Sequence, residues 1–351
     1  MYFWRLMWLA PLLVGAAFSL PATAVFVDPL DAQALMSPLA RSSRLSAVAH
    51  AGSRLVAVGP RGHILVSGDA GKTWRQVAVP LSSDLVAVQF PTALHGWAVG
   101  HDGVVLHSAD GGLTWVKQLD GKRVAEIISA YYQRQPAGPE SAKLQEEARR
   151  LVEEGADKPF LDVMFVNERE GYVVGAFNLA MRTNDGGKSW EPLIDRTANE
   201  QGLHLYGLVH SGNEIYMVGE QGLIRHWDRQ HERFRALSSP YKGSFFGVLA
   251  RDATLIAYGM RGNVVRSVDG GQSWRILRSS ASDGITGGTI LDDGRVVLVT
   301  QGGQMLISKD GDEPYANVKV KNRMPYFGVA SLAGGVVVVV GAGGVSAENI
   351  E

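Results

Sequence analysis

Cysteine is absent from the 351 residues of this chain. Disulfides, thiolate nucleophiles and sulfur-ligated metal sites are therefore excluded, and no thiol is present to carry a lipid. Neither sign of charge dominates. Lys+Arg 34 against Asp+Glu 35 leaves a formal net charge of −1, without the basic excess of a nucleic-acid binder. Long apolar runs are missing beyond the first residues, since Val336 to Val340 is only strand length and a span needs roughly 20 apolar residues. The nine histidines show no ligand cluster, and His101 with His107 on one hairpin is a weak pair. No phosphate loop, dinucleotide fingerprint or nucleophile elbow is present. No cofactor, metal or catalytic residue is expected.

The N-terminus reads as an export signal. Arg5 supplies the positive charge, Leu6 to Leu20 is an apolar run broken by Pro11, and Ala22-Thr23-Ala24 fits a small-residue cleavage site. Residues 1–24 are thus expected to be removed after Ala24, with a membrane anchor as the other reading. The mature chain is expected to be soluble, periplasmic or secreted, and monomeric.

Glycine and tryptophan are plentiful, at 42 and 8 residues. An apolar pair closing on Gly recurs at Val58-Gly59, Val99-Gly100, Val174-Gly175, Val218-Gly219, Tyr258-Gly259, Val299-Thr300 and Val340-Gly341. The intervals are 41, 75, 44, 40, 41 and 41 residues, the long one a repeat plus an insertion. Each unit offers two alternating segments, a short turn such as His101-Asp102-Gly103, a third strand and a short fourth. Four strands in about 40 residues is the pattern of a propeller blade. The fold class expected is all-β, a seven-bladed β-propeller with four-stranded blades, over residues 25–351.

The turn after each third strand carries S/T-x-D-x-G-x-T/S-W, the Asp box. It is intact at Ser67–Trp74, Ser108–Trp115, Thr183–Trp190 and Ser267–Trp274, and degraded around Asp228 to Phe234 and at Ser308 to Tyr315. Asp69, Asp110, Asp185 and Asp269 are read as turn-formers that accept local backbone hydrogen bonds. Trp74, Trp115, Trp190 and Trp274 are read as packing between blades. These carboxylates are structural rather than catalytic.

Two segments depart from the repeat. The seventh unit is short of strands, so an outer strand from within Val25 to Arg41 is expected to close the ring, unless Asp28-Pro29 starts a short helix there. Lys122 to Lys158 replaces strand periodicity with helical spacing: Val124, Ile127, Ile128, Tyr131 and Tyr132, then Leu144, Ala148, Leu151 and Val152. This predicts a helical hairpin between blades 2 and 3, on the face away from the Asp boxes.

The boxes, with Gly96-Trp-Ala-Val-Gly, Asp185-Gly-Gly-Lys-Ser-Trp and Val268-Asp-Gly-Gly-Gln-Ser-Trp, resemble BNR-type propellers, and the mature chain most resembles the photosystem II stability/assembly factor family. The resemblance implies a non-enzymatic, seven-bladed scaffold that helps build a membrane complex through an arginine-lined patch; the hairpin departs from it. The candidate partner surface comprises Arg61, His101, Asp102, Glu220 and Arg261 on the turns between second and third strands, Arg182, Arg225 and Arg266 on third strands, and Tyr131 and Tyr132 on the hairpin. Arginine forks suit acidic or carbonyl partners. Tyr206, Phe246 and Phe327, at the starts of inner strands, are either core or a ring at the channel mouth. The partner expected is a membrane protein complex or another periplasmic protein, with no nucleic acid. The alternative is a sialidase-like glycoside hydrolase or carbohydrate-binding propeller. It lacks support because the F/Y-R-I-P motif is missing, Arg41 and Arg44 lying in Ala-Arg-Ser-Ser-Arg, and nothing in the spacing of Glu220 and Tyr241 asks for catalysis.

Overall fold

In a computed structural model, which describes residues 26–136 and 138–350, seven antiparallel sheets stand around a central channel. The expected leader and its cleavage site lie outside the described residues. The inner strands are Ala47–Ala51, Leu85–Gln89, Phe160–Phe165, Leu205–Ser211, Phe245–Arg251, Ile285–Ile290 and Tyr326–Leu332. Each pairs with the second strand of its own blade and packs against the inner strands on either side. Blades 1 to 6 have four strands and blade 7 has three, ending on Gly344–Asn349.

The alternation legible in the sequence is what fills the ring. In blade 1, Val56, Val58, Ile64 and Val66 face blade 2 and meet Leu85, Ala98 and Leu106, while Leu55, Ala57 and Leu65 face blade 7. The pattern repeats, so every inter-blade layer is a two-sided apolar core built by period-two strands.

Register sets one position of the inner strands opposite Val58, Val99, Val174, Val218, Tyr258, Val299 and Val340. It holds Ala47, Ala87, Asp162, Gly207, Gly247, Gly287 and Gly328, where strands crowd the axis. Six are Gly or Ala, and blade 3 alone carries a charge. Asp162 accepts from the backbone of the neighbouring inner strand at Leu208 N (2.7 Å) and from Val163 N (2.9 Å). Burial nonetheless pushes its carboxyl up to about 7.

Ring closure departs from expectation. The described N-terminal segment supplies neither an outer strand nor a helix. It makes one turn at Asp28–Ala32, with Asp31 N and Ala32 N both donating to Asp28 O, and a short 3-10 turn at Ala40–Ser42. Between them it runs as a strap along blade 1. Blades 7 and 1 meet instead through the backbone bond from Leu45 N to Gly341 O at 3.0 Å, through His50 Nε2, which donates to Ser331 O at 2.5 Å, and through Trp74 packed with Val338.

The insertion forms the predicted hairpin, α1 (Gly121–Gln133) and α2 (Pro139–Glu154). Asp120 caps α1 by accepting from Arg123 N at 3.0 Å. Val124, Ala125, Ile128 and Tyr132 bury against blade 3, and α2 reaches the propeller mainly by packing on α1 through Leu144, Ala148 and Leu151.

Candidate functional site

The two faces of the ring are built differently. On one, each intact box is a closed hydrogen-bonded unit. Asp110 Oδ1 accepts from Leu113 N and Thr114 N, both at 2.9 Å, and from Ser108 Oγ at 2.8 Å, while Oδ2 accepts from Thr114 Oγ1 at 2.6 Å. Asp69, Asp185 and Asp269 repeat the set with Thr73, Ser189 and Ser273. These bonds hold Asp69 and Asp269 down at about 2, those from Thr73 and Ser273 contributing most. Each Trp indole donates to a box carbonyl, as Trp115 Nε1 does to Gly112 O at 3.0 Å. Where blade 6 has lost its Trp, Tyr315 OH donates to Gly311 O instead. The carboxylates are thus engaged as turn acceptors.

In three of the four intact boxes the previous blade grips the turn from the side. Arg54 donates to Asp110 O and Gly111 O, Gln118 to Gly186 O, and Tyr216 OH to Gly270 O. The third-strand arginines belong to this lateral system. Arg182 lies buried between the rings of Tyr172 and Trp227 and donates to Glu232 of the next blade at 3.1 Å. Arg266 reaches Asp312 of the next blade, also at 3.1 Å. Arg225 is turned into the linker after blade 3, its Nε donating to Ala198 O at 2.8 Å. None of the three forms a free cationic surface, so the reading of a partner patch on third strands is corrected. Arg182 and Arg266 share one register position and point at the next blade, where each finds an acid, whereas Arg225, one residue off that register, finds a linker carbonyl. His107, at the equivalent position, stacks on Trp97 and His95, at the opposite end of its hairpin from His101.

The other face carries the turns between second and third strands. In five of them a bulky residue sits at positive φ: Arg61 (57°), Asp102 (57°), Phe177 (52°), Gln221 (53°) and Arg261 (56°). The next residue is also left-handed, Gly62, Gly103, Asn178, Gly222 and Gly262, giving the two consecutive positive-φ residues of a type I′ turn. In four of the five turns glycine fills this second position, where a side chain would crowd the backbone, and blade 3 has Asn178 there. A Cβ on Gly222 would lie 1.9 Å from Tyr241 O. The first position has no such crowding, and a left-handed L-residue there costs about 1–2 kcal/mol. The strain presents Arg61, Gln221, Arg261 and Phe177 to solvent, Phe177 with 62% of its surface exposed. Arg61 N donates to Asp84 Oδ1, and Glu220 Oε2 accepts from His204 N. Of the proposed set, Arg61, His101, Asp102, Glu220 and Arg261 therefore do share one face. Their charges are mixed rather than uniformly basic.

Tyr132 leaves the candidate surface. It is 1% exposed, and its hydroxyl donates to Asp195 at 2.7 Å, pinning α1 to the linker after blade 3. Tyr131 is partly covered in the same cluster. A helical stripe in a hairpin that must dock on its own scaffold turns its aromatic members inward first. Tyr206 and Phe246, read from the sequence as either core or a ring at the channel mouth, continue outward through His204 and Phe177 as an aromatic path across the face. Phe177 meets His204 at 4.5 Å, His204 meets Tyr206 at 6.1 Å, and Tyr206 meets Phe246 at 5.7 Å at the channel mouth. Phe327 lies under Arg44 at 4.8 Å. Beside Phe177, α2 and the 194–202 linker enclose a cleft of about 540 Å³ with Leu144, Leu151 and Ile194 on its walls and Arg150 and Arg233 at its edge. Of the residues that a glycosidase reading would enlist, Arg44 lies over the Phe327 ring, Glu220 accepts from His204 N and Tyr241 OH donates to Met260 O.

The profile of the family described as "Photosynthesis system II assembly factor YCF48" matches residues 66–127 and 142–307. The chain belongs to this family. Among curated relatives, the Photosystem II assembly lipoprotein Ycf48 of Synechococcus sp. (strain CC9902) is 26% identical over 132 residues, 36% of this chain and 38% of that protein. A counterpart from Prochlorococcus marinus is 28% identical over 157 residues, 44% of this chain and 46% of that protein. The matched stretches thus span less than half of these relatives. A solved structure described as YCF48 bound to D1 peptide superposes with a TM-score of 0.64 at 18% identity, covering 93% of this chain and 99% of that one. The family match breaks off within the hairpin: residues 128–141, which include the end of α1 and the start of α2, are outside it.

Proposed function

We propose that this propeller is an exported, non-catalytic assembly factor that docks on a membrane protein complex through its turn face. The observation that carries the reading is the ring of strained turns. Arg61, Phe177, Gln221 and Arg261 occupy a left-handed position where glycine would be unstrained, and strain of this kind is kept where a side chain is used. The family match supports a scaffold role. The neighbour described as bound to a D1 peptide supports a protein segment as the thing held, and the aromatic path with flanking arginines suits an extended peptide bearing apolar and acidic side chains. The carboxylates of the four intact boxes are engaged as turn acceptors, which supports a structural role for them. The cognate complex need not be a photosystem.

Two variants test this: Arg61→Glu with Arg261→Glu, and replacement of residues 122–158 by a short Gly/Ser linker. Both should keep the β spectrum and lose association with the membrane partner in pull-downs. Retention by both variants refutes the assignment of the partner to this face.

A further inference from the structure

Among the described residues, the strap between the expected leader and the first blade carries the densest set of exposed large apolar side chains. Phe26 is 85% exposed, Val27 56%, Leu35 77%, Met36 61% and Leu39 65%, five of the twelve large apolar side chains on the described surface. The segment is nonetheless fixed in place. Leu30, Ala34 and Ala40 are buried, Ala34 N donates to Val79 O, and the Gln76 side chain holds it twice, accepting from Ser37 N at 2.8 Å and donating to Leu35 O at 2.9 Å. The inward residues suffice to hold the strap, so folding does not require the outward ones to be apolar.

Its position gives that surface a direction. A Cβ on Gly62, next to Arg61, would lie 3.1 Å from Ala34 Cβ, and Arg41 O lies against Gly344 in the corresponding turn of blade 7. The strap therefore borders the turn face. Its charges are arranged unevenly. The acids Asp28 and Asp31 are neutralised by Lys122 (2.7 Å) and Lys117 (3.5 Å). Arg41 and Arg75, the latter beside Gln76, are exposed and carry no ion pair among the described residues. An apolar strip whose acids are cancelled and whose flanking arginines are free matches the interface of an anionic bilayer: side chains enter the acyl boundary and cations meet headgroups. The named relatives are lipoproteins, whereas this sequence has no cysteine to acylate.

We propose that Phe26, Val27, Leu35, Met36 and Leu39, flanked by Arg41 and Arg75, form a peripheral contact with an anionic lipid surface that sets the turn face against the membrane. This goes beyond the docking of a protein partner and does not depend on it.

The absence of cysteine allows a site-specific test. Met36→Cys and, on the distant rim, Gln230→Cys each take one environment-sensitive dye, and the labelled protein is mixed with phosphatidylglycerol or phosphatidylcholine vesicles containing spin-labelled lipid. The dye at position 36 should shift to the blue and be quenched with phosphatidylglycerol, and the dye at 230 should not respond. A triple variant, Leu35→Ser, Met36→Ser and Leu39→Ser, should melt with the wild type and, labelled instead at Phe26→Cys, lose the quenching that the same label shows without the serines. Absence of quenching at position 36 with either lipid overturns the proposal, as does sedimentation of the unlabelled protein as a dimer that shields the strap. Equal quenching by phosphatidylcholine refutes the part given to Arg41 and Arg75. A variant that is quenched like its parent refutes the apolar strip.

Discussion

Asp110→Ala isolates what an Asp box contributes. The substitution removes an acceptor of four hydrogen bonds, from Leu113 N, Thr114 N, Ser108 Oγ and Thr114 Oγ1. Burial of Asp110 works against its ionisation, but the bonds from Thr114 and Ser108 outweigh it and keep the carboxyl below its ordinary value, so a charged acceptor is lost. Bonds to charged groups contribute about 1.5–3 kcal/mol each. Here Thr114 is exposed and can turn to water, and Ser108 Oγ keeps its bond from Gly112 N. The net loss reduces mainly to the Leu113 amide and the order of the turn, about 2 kcal/mol, within the usual point-mutation range of about 0.5–3 kcal/mol. Calorimetry should show melting a few degrees lower. Asp110→Asn keeps one acceptor oxygen and should lose less than half as much. Partner binding by the folded fraction should persist. Melting of Asp110→Ala at the wild-type temperature, or equal damage by Asn and Ala, refutes the turn-former account. Loss of binding at unchanged melting temperature places the function on the box face.

Three further outcomes follow from the same structure. Asp162, raised to about 7 by burial, favours folding in its protonated form, so its contribution is complete below the ordinary carboxylate value and is lost as pH rises through 7; Asp162→Asn should flatten the fall in urea midpoint between pH 4 and 8. Asp69 and Asp269, held at about 2, have the opposite sign: their contribution is present above the ordinary value and lost as pH falls toward 2, and Asp69→Asn with Asp269→Asn should make acid unfolding shallower. Tyr132→Phe removes the bond to Asp195, so hydrogen exchange should quicken in α1 and at the linker while the inner strands keep their protection.

The blades were legible because their determinants are local. A Gly-closed apolar pair and an Asp box specify two turns within about 40 residues, and the switch to helical spacing at Val124 and Ile128 marks the hairpin just as locally. The directions of Arg182 and Arg266 were not legible, because their acids, Glu232 and Asp312, are supplied by the next blade some fifty residues on. Tyr132 looked like surface for the same reason, since Asp195 is 63 residues away. Asp162 did leave a sign in the sequence, a lone charge between Leu161 and Val163 where the other repeats have Gly or Ala. Its meaning required the strand register. The strap was misjudged because an apolar N-terminal segment beside a three-stranded blade suggests a closing strand, whereas its hydrogen bonds go to blade 1 at Val79 and Gln76, to blade 2 at Lys117 and to the hairpin at Lys122.

The central claim is that the turn face, and not the box face, meets the membrane partner. A photo-activated crosslinker placed at Gln221 on the turn face and, in a second protein, at Gln230 on the box face tests it directly in native membranes. A discrete membrane-protein adduct is expected from position 221, abolished by Arg61→Glu with Arg261→Glu, and none from position 230. An adduct from position 230, with none from 221, contradicts the claim.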